Sequence, residues 1–328
     1  MTLPDPVDTL IVPFAITDDE ACRPVLDRCH LPHLQTLLVN WHPGPLRQVG
    51  AYHLNTPHEH ALGEALGWAS RPDGTLPMAA HAAGLTERPC AWFHPCHWNV
   101  GMEQVSLQSA DGLEVTEAES LALLQALQPL AEEDGLALLY EEPGRWRAEG
   151  PVFRDLPWAS LDRVAYRRID GWLPEAERTP AARPLLRLQN EAQMLFYTHP
   201  ANDDRAARGL ASVNGFWISG CGQLEASERR GANVQMETSL RQPALQGHWT
   251  DWARAWQALD ATVMPSWLER AQRGEHLTLI LCGERGWRRW TPQSPTGVRP
   301  VLTGTSWWRR CWKGRATPPS VTGILEGL

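Results

Sequence analysis

The chain has 328 residues, of which 43% are hydrophobic and 21% are charged, a composition that excludes a disordered or fibrous protein. Its net charge of −8 disfavours nucleic acid as a partner for the chain as a whole. The longest apolar runs are of strand length, far below the ~20 residues that a membrane span needs, so we expect a soluble protein with no membrane partner.

In the first half of the chain, apolar segments alternate with amphipathic ones. The apolar segment Thr9–Ala15 predicts a buried strand near the start. A threonine at the N-cap predicts a helix over Pro57–Leu66. The clearest helix covers Glu117–Glu132, where Thr116 and Glu119 have the spacing of a capping box.

Strands and helices continue to alternate along the chain. Short strands at Ala91–Phe93 and Val105–Leu107 flank a predicted loop rich in Trp and His. A helix is predicted over Pro184–Tyr197, and a strand over Val213–Ser219 that ends in a Gly-Cys-Gly turn. The segment Leu277–Cys282 predicts a fully buried strand.

Together these elements predict an α/β fold with a mainly parallel central sheet and helices on both faces, because apolar strands separated by helices are typical of that class. We expect one domain over residues 1–328, with a smaller lobe around residues 85–180.

The cysteines and the N-terminus indicate the compartment. The number of cysteines is odd and they are scattered along the chain. This favours free thiols over a disulfide framework and predicts a cytoplasmic protein. The N-terminus MTLPDPVDTL has no basic segment before an apolar run, so we expect no signal peptide. The seven cysteines are Cys22, Cys29, Cys90, Cys96, Cys221, Cys282 and Cys311.

Several histidines have spacings that suggest metal ligands. The densest group is His94, Cys96 and His97, and the pairs His30/His33 and His58/His60 are three and two residues apart. A structural zinc site usually needs two ligand pairs, and the chain has no CxxC pair. The sequence therefore predicts no metal site and no cofactor.

A basic segment lies near the C-terminus. Residues Arg285–Arg315 contain eight basic and no acidic side chains, interleaved with tryptophans. Such a mixture can stack nucleobases or bind phosphates. It is equally the pattern of a strand with inward tryptophans and outward arginines, and the acidic remainder of the chain favours this second interpretation.

The segment from residue 191 to residue 222 is the most informative. A helix stopped by His199 and a proline is followed by a short helix and then a strand. Side chains of His199, Asn202, Arg205 and Asn214 would form an anion-binding pocket near a helix start. The alternative is structural, with Asn202 as a helix cap and the arginine in solvent.

This segment resembles part of the archaeal-type, cofactor-independent phosphoglycerate mutases of the alkaline phosphatase superfamily. The matching residues are His199, Pro200, Asn202, Arg205, Gly209, Asn214, Gly220 and Gly222. The whole chain, including PCHWNVGMEQVSL, resembles a bacterial family of RpfE-type regulatory proteins that are phosphoglycerate-mutase-like. The resemblance implies an alkaline-phosphatase-like fold.

The chain departs from that superfamily at the metal site. Two ions held by strand-end aspartates and an Asp-His pair are needed for the phosphoryl transfer that the resemblance implies. Here the first strand, TLIVPFA, ends without an aspartate, and Leu277–Cys282 leads into Gly283 and Glu284. We therefore expect no pair of catalytic divalent ions.

The expected function is that of a non-catalytic or regulatory protein that binds an anionic or phosphorylated metabolite or a regulatory protein partner. The sequence identifies no catalytic residue. The alternative is a divergent metal-dependent phosphoglycerate mutase or phosphatase. A weaker alternative is nucleic-acid contact through the basic, tryptophan-rich C-terminal segment.

Overall fold

Two sheets of different construction organise the chain. The computed structural model describes residues 8–101, 104–175, 177–228, 233–292 and 320–328. The chain divides into two compact units. Unit 1 is formed by Met1–Val49 and Gly231–Leu328, and unit 2 is the continuous segment Gly50–Arg230 between them.

The described secondary structure alternates strands and helices. The strands are β1 (Asp8–Val12), β2 (Trp41–Pro43), β3 (Arg47–Gln48), β4 (Cys90–Val100), β5 (Val105–Ser109), β6 (Ala137–Glu142), β7 (Arg145–Glu149), β8 (Gly215–Gly222), β9 (Val234–Met236), β10 (Leu277–Cys282) and β11 (Gly286–Pro292). The helices are α1 (Cys22–Arg28), α2 (Pro32–Asn40), α3 (Pro57–Leu66), α4 (Met78–Ala82), α5 (Ala110–Leu113), α6 (Glu117–Glu133), α7 (Leu161–Val164), α8 (Arg183–Tyr197), α9 (Pro200–Ala207), α10 (Arg241–Leu245), α11 (Trp249–Thr262), α12 (Met264–Gln272) and α13 (Val321–Leu325).

The sheet of unit 1 is mixed. Its order is β2-β11-β10-β1-β9, and β3 also pairs with β11. Strand β1 lies in parallel between β10 and β9, and β11 is antiparallel to β10. Buried Trp252 and Trp256 of α11 donate their indole N–H groups to the carbonyl oxygens of Phe14 and Ala15, which fixes the backbone just after β1.

The sheet of unit 2 is antiparallel. Its order is β5-β4-β7-β6, with β8 also paired to β4. The long β4 pairs antiparallel with β5, β7 and β8 along different parts of its length. Phe93 of β4 stacks on Phe216 of β8, with ring centroids 4.4 Å apart, in the core of the unit.

The α/β class is as predicted, but the mainly parallel sheet is not. An apolar strand such as β10 predicts burial on both faces, and it is fully buried. The apolar character of a strand does not indicate whether its neighbours run parallel or antiparallel to it. The link of three residues between β10 and β11 is too short for a parallel crossover, so this pair is antiparallel.

Two loop predictions were wrong for a related reason. The predicted Trp- and His-rich loop lies largely within β4, and the predicted Gly-Cys-Gly turn lies within β8. Both segments pair with each other in the antiparallel sheet of unit 2, where pairing across strands outweighs the local preference of Gly, Pro and His. The predicted lobe around residues 85–180 lies inside unit 2.

The helix predictions were close. Helix α3 has the predicted bounds, and α6 has the predicted capping box and extends one residue further. None of the helices in the described part of the chain combines the length and the apolar character that crossing a membrane requires.

Candidate metal centre

The start of α3 is built by a complete capping box. The Thr56 hydroxyl accepts the backbone N–H of Glu59, and the Glu59 carboxylate accepts the backbone N–H of Thr56. A proline at the first helical position adds a preset backbone angle. These contacts fix the first turn of α3, which carries His60, and the turn before it, which carries His53.

Asp73 approaches this helix start from a separate segment. Its two carboxylate oxygens accept the backbone N–H groups of Leu54, at 2.7 Å, and of Asn55, at 3.0 Å. The next residue, Gly74, has a φ of +84°, and a Cβ there would lie 2.6 Å from Leu54 Cδ1 and 2.9 Å from the backbone nitrogen of Trp158. The segment therefore reaches this position only with glycine after the aspartate.

His53, His60 and Asp73 bring potential metal-ligand atoms together. One such atom from each residue lies within 4.8 Å of the others. His60 Nε2 and Asp73 Oδ1 are 4.0 Å apart, and the ring centroids of the two histidines are 6.2 Å apart. His53 is exposed, whereas His60 and Asp73 are half-buried, so the cluster is open to solvent on one side.

The environment of His60 favours the form that binds metals. Burial lowers the pKa of His60, and the nearby carboxylates of Glu59 and Asp73 oppose the shift only in part. A lowered pKa keeps the imidazole neutral at neutral pH, with one ring nitrogen unprotonated. A neutral imidazole is the ligand form in zinc, iron and nickel sites.

Two imidazoles and one carboxylate are a donor set with specific chemistry. Catalytic zinc sites use three protein ligands of this kind and leave a fourth position for water or substrate. The same set, with open positions, binds mononuclear non-haem iron. Elsewhere in the described parts of the chain, no other group of three His, Cys, Asp or Glu side chains lies within the same distance.

A buried polar network backs the cluster. His58 Nε2 lies 3.0 Å from the Thr56 hydroxyl and 3.3 Å from Asp162 Oδ2. Asp162 is itself at the start of α7, where its backbone N–H donates to Ser160. Because these groups are at least nine-tenths buried, they support the helix start rather than contact a ligand from solvent.

Arg205, predicted as an anion-binding residue, is enclosed by the protein. Its side chain is fully buried, and Nη1 is 2.9 Å from Glu119 Oε2. Nη2 donates to the carbonyl of Leu113 at 2.6 Å, and Nε donates to that of Ala211 at 2.7 Å. The residue thus joins α9 to the start of α6 through a buried ion pair.

The other three predicted site residues also have partners within the chain. His199 is the N-cap of α9, and its Nδ1 accepts the backbone N–H of Ala201. Asn202 exchanges hydrogen bonds with the backbone of Val213 and also donates to the carbonyl of Phe196.

Asn214 brackets Trp98, accepting its N–H and donating to its carbonyl. Asn202 therefore links the end of α8, at Phe196, with Val213 just before β8. No described hydrogen bond joins any two of the four predicted side chains, and each has a structural function. Binding of an anionic ligand by these four residues stays a prediction.

The densest histidine group does not gather around one point. His94 contacts Ser219 at 2.8 Å, whereas His97 contacts the carbonyl of Ser212 at 2.8 Å. Cys96 lies between them in sequence and accepts from the indole N–H of Trp98. Because β4 is extended, neighbouring residues such as Cys96 and His97 point to opposite faces.

The ends of the parallel strands in unit 1 were expected to lack a two-metal site. There Asp18 pairs with Arg285, and Glu284 accepts the backbone N–H of Asp18. After β9, Glu237 accepts the backbone N–H of Ser239. These carboxylates have protein partners, and the absence of a pair of catalytic ions stays a prediction.

The basic C-terminal segment lies mostly outside the described residues. Within β11, Trp290 is buried and its neighbour Arg289 is exposed, as the strand interpretation expects. Arg288, two residues before Trp290, departs from it and lies over the Trp290 ring, 6.0 Å from the centroid. Nucleic-acid contact by residues 293–319 falls on the part that the structure does not describe.

Sequence reasoning did not single out His53 or Asp73. His60 was noted only with His58, two residues away, yet on a helix these two side chains point in different directions. The useful signal was weaker: a histidine just before a capping box, a second on its first turn, and an Asp-Gly pair beyond the helix. Nothing in that spacing shows which segment returns to the helix start.

No family model matches the sequence, and no curated protein matches it. The solved structures whose fold resembles that of this chain include the following two. A cofactor-independent phosphoglycerate mutase from Thermoplasma acidophilum DSM 1728 is 13% identical, with 90% of this chain and 92% of that chain covered and a TM-score of 0.38. The PH0037 protein from Pyrococcus horikoshii is 11% identical, with 88% and 87% covered and a TM-score of 0.48. Both TM-scores are below 0.5, so neither likeness identifies a function for this chain.

Proposed function

We propose that the protein binds one divalent transition-metal ion, zinc in the first instance, at His53, His60 and Asp73. The observation that supports this proposal is the approach of three ligand atoms of the appropriate chemistry to within 4.8 Å of one another. Two backbone N–H groups orient the Asp73 carboxylate, and burial keeps His60 neutral. Both features are typical supports of a metal ligand.

The cluster is wider than a loaded site and must contract. With zinc bonds of 2.0–2.1 Å, ligand atoms in a tetrahedral site are about 3.4 Å apart. His60 Nε2 and Asp73 Oδ1 are 4.0 Å apart, so these two atoms must approach each other by roughly half an ångström to bind the same zinc ion. His53, exposed on a turn, is free to make a larger side-chain rotation.

The proposed ion would bind the anionic ligand. Three protein ligands leave at least one coordination position open to solvent, and a carboxylate or phosphate oxygen is a suitable occupant. In this proposal the anionic or phosphorylated metabolite binds at the metal and not at Arg205, whose donors have internal partners. The resulting function is metal-dependent binding, consistent with a regulatory protein, and one ion gives no two-metal clamp for phosphoryl transfer.

Metal titration tests the proposal directly. Untagged, metal-free protein should bind one equivalent of zinc in calorimetry. Zinc binding should weaken by about 100-fold or more in each of three variants, since each loses one of the three ligands. These variants are His53→Ala, His60→Ala and Asp73→Asn. His30→Ala, a change at an exposed histidine outside the cluster, is the matched control. Absence of zinc binding, or unchanged affinity in all three variants, would overturn the proposal.

A second titration separates binding from catalysis. Inorganic phosphate should bind the zinc-loaded protein and not the metal-free protein. Release of phosphate from a chromogenic phosphomonoester by the zinc-loaded protein, lost in Asp73→Asn, would instead support the divergent phosphatase alternative. Phosphate binding that needs Arg205 and no metal would support the pocket predicted from the sequence.

A further inference from the structure

Asn55 is a buried amide between the two segments that carry the cluster. It is 2% exposed and lies two residues after His53 and five before His60. Its backbone N–H donates to Asp73 Oδ1, and its backbone carbonyl accepts Arg163 Nη2 at 2.9 Å. The main chain of Asn55 is therefore held on both sides before its side chain is considered.

The side chain of Asn55 connects Gly74, the residue after the ligand Asp73, with Glu59, the residue before the ligand His60. Its Oδ1 accepts the backbone N–H of Gly74 at 2.7 Å. Its Nδ2 donates to Glu59 Oε2 at 3.0 Å, the oxygen that also accepts the Thr56 N–H in the capping box. Gly74 follows Asp73 and Glu59 precedes His60, so one amide links both ligand-bearing segments.

Only an amide of this length meets both partners. An asparagine offers an acceptor and a donor on one short side chain. Aspartate in its place keeps the acceptor toward Gly74 but has no N–H for Glu59, and two carboxylates would then face each other. Leucine, of similar volume, loses both bonds and leaves the Gly74 N–H and the Glu59 carboxylate without this partner.

We infer that Asn55 is the positioning residue of the metal centre. Its side chain holds the Asp73 segment against the first turn of α3, so that ligands from the two segments reach the same ion. This inference rests on the proposed zinc site. Partners of this kind orient ligands without touching the ion, and their loss typically lowers metal affinity by roughly 10–100-fold.

The test compares Asn55→Leu and Asn55→Asp with the wild type in three measurements: zinc affinity, the visible spectrum of the cobalt(II)-substituted protein, and thermal unfolding without metal. Both variants should bind zinc roughly 10–100-fold more weakly and show an altered cobalt spectrum, because the ligands no longer hold one geometry. Gln189→Leu is the control. Gln189 is also a buried amide of unit 2, and its Nε2 donates to the carbonyl of Phe216 away from the cluster.

Stability alone does not explain the expected pattern. Gln189→Leu should lower the unfolding temperature and leave the zinc affinity and the cobalt spectrum unchanged. If the wild type binds zinc and a folded Asn55 variant binds it with the same affinity and spectrum, the inference about Asn55 is overturned. If the wild type binds no zinc, the proposed function has failed. Should Asn55→Leu fail to fold, Asn55→Asp, which keeps the Gly74 bond, decides the question.

Discussion

Gly74 is the residue on which the position of Asp73 depends most directly. Its φ of +84° lies in a region that L side chains rarely adopt, and its Cβ would meet the backbone of Trp158. The peptide after Asp73 is also held by the Asn55 side chain. Position 74 therefore combines a conformational requirement with a steric one.

We predict that Gly74→Ala destabilises the protein and weakens zinc binding, since the alanine must displace the Asp73 segment. The left-handed backbone costs about 1–2 kcal/mol by itself, and the clash adds to it. Gly84→Ala is the matched control, with a φ of +65° and no atom within 4 Å of its Cβ. Urea unfolding and zinc titration should show a loss of affinity in the first variant only; equal affinities would contradict the prediction.

His60 gives the centre a defined pH dependence. Because burial lowers the pKa of His60 in the folded protein, protonation favours the unfolded chain. The contribution of His60 to the free energy of unfolding is fully present above the ordinary histidine pKa of about 6.5. It is lost as the pH falls from that value to the lowered pKa of His60 in the folded protein. Protons and zinc also compete for the same nitrogen.

We predict that zinc affinity falls as the pH is lowered from about 7.5 to about 5.5, across the ordinary histidine range. In the metal-free protein, the wild type should lose unfolding free energy over this range faster than His60→Gln. Calorimetry and urea unfolding at several pH values measure both. A pH dependence that is the same in the two proteins would show that His60 does not titrate as described.

At the scale of elements, α6 and α9 are joined through the buried ion pair of Glu119 and Arg205. Glu119 serves both the capping box of α6 and the side chains of Arg205 and Arg208. Burial raises the pKa of Glu119, but the hydrogen bonds from Thr116 and Arg208, with the charge of Arg205, hold it below its ordinary value. Its contribution to stability is present above the ordinary Glu pKa and is lost as pH falls through the lowered one.

We predict that Arg205→Met destabilises the protein by about 3 kcal/mol, because it removes the buried partner of Glu119 and leaves the carbonyl oxygens of Leu113 and Ala211 without this donor. Zinc stoichiometry should stay at one. Arg178→Met, at an exposed pair with Glu175, should change stability by about 1 kcal/mol or less. A folded Arg205 variant of wild-type stability would show that the pair is not structural.

The helices of this region were predictable from the sequence, and the function of their residues was not. The capping boxes at Thr56 and Thr116 are local, since donor and acceptor are three residues apart. Two of the three partners of Arg205 are distant in sequence: Glu119, 86 residues away, and Leu113, 92 residues away. No local pattern reports such pairings, so the sequence left an anion pocket and a solvated arginine equally open. The solvated alternative was wrong for Arg205, whose side chain is fully buried.

The metal cluster was beyond sequence reasoning for the same reason. Asp73 meets α3 because of a left-handed glycine and a buried amide, and neither has a distinctive spacing. Strand direction was also undetermined, since an apolar strand such as β10 is buried whichever way its neighbours run. Burial was therefore easier to predict than pairing.

At the scale of the whole molecule, the cysteines serve as buried apolar residues. The six described cysteines are free thiols, in agreement with the prediction for those positions, and Cys311 lies outside the described residues. Burial raises the pKa of the Cys90 thiol to about 12, and burial likewise raises the pKa of Cys96 and Cys221. Thiols of this kind react slowly because the thiolate is the nucleophile.

We predict that denatured, unreduced protein contains seven free thiols. In the native protein, Cys29 should be alkylated first among the described cysteines, because it is half-buried while the other five are buried. Mass spectrometry after timed treatment with iodoacetamide measures both. Faster labelling of Cys96 or Cys221 than of Cys29 would contradict the described burial.

Unit 2 is a continuous segment with its own sheet and core, while unit 1 is formed from two separated segments. We predict that residues 50–230 expressed alone fold cooperatively and bind one zinc ion, since the cluster and its supporting bonds lie within that segment. Circular dichroism, urea unfolding and zinc titration test this. A fragment without a cooperative transition would show that unit 2 depends on unit 1.

The position of β1 sets an order of events during synthesis. Both neighbours of β1 in the sheet, β9 and β10, are more than 200 residues downstream. At about 5–20 residues per second, a ribosome needs roughly 10–45 s to make the first of them. Throughout that interval the apolar residues of β1 have no strand partner, while unit 2 emerges complete behind them. Refolding from denaturant, where all strands are present at once, avoids this interval.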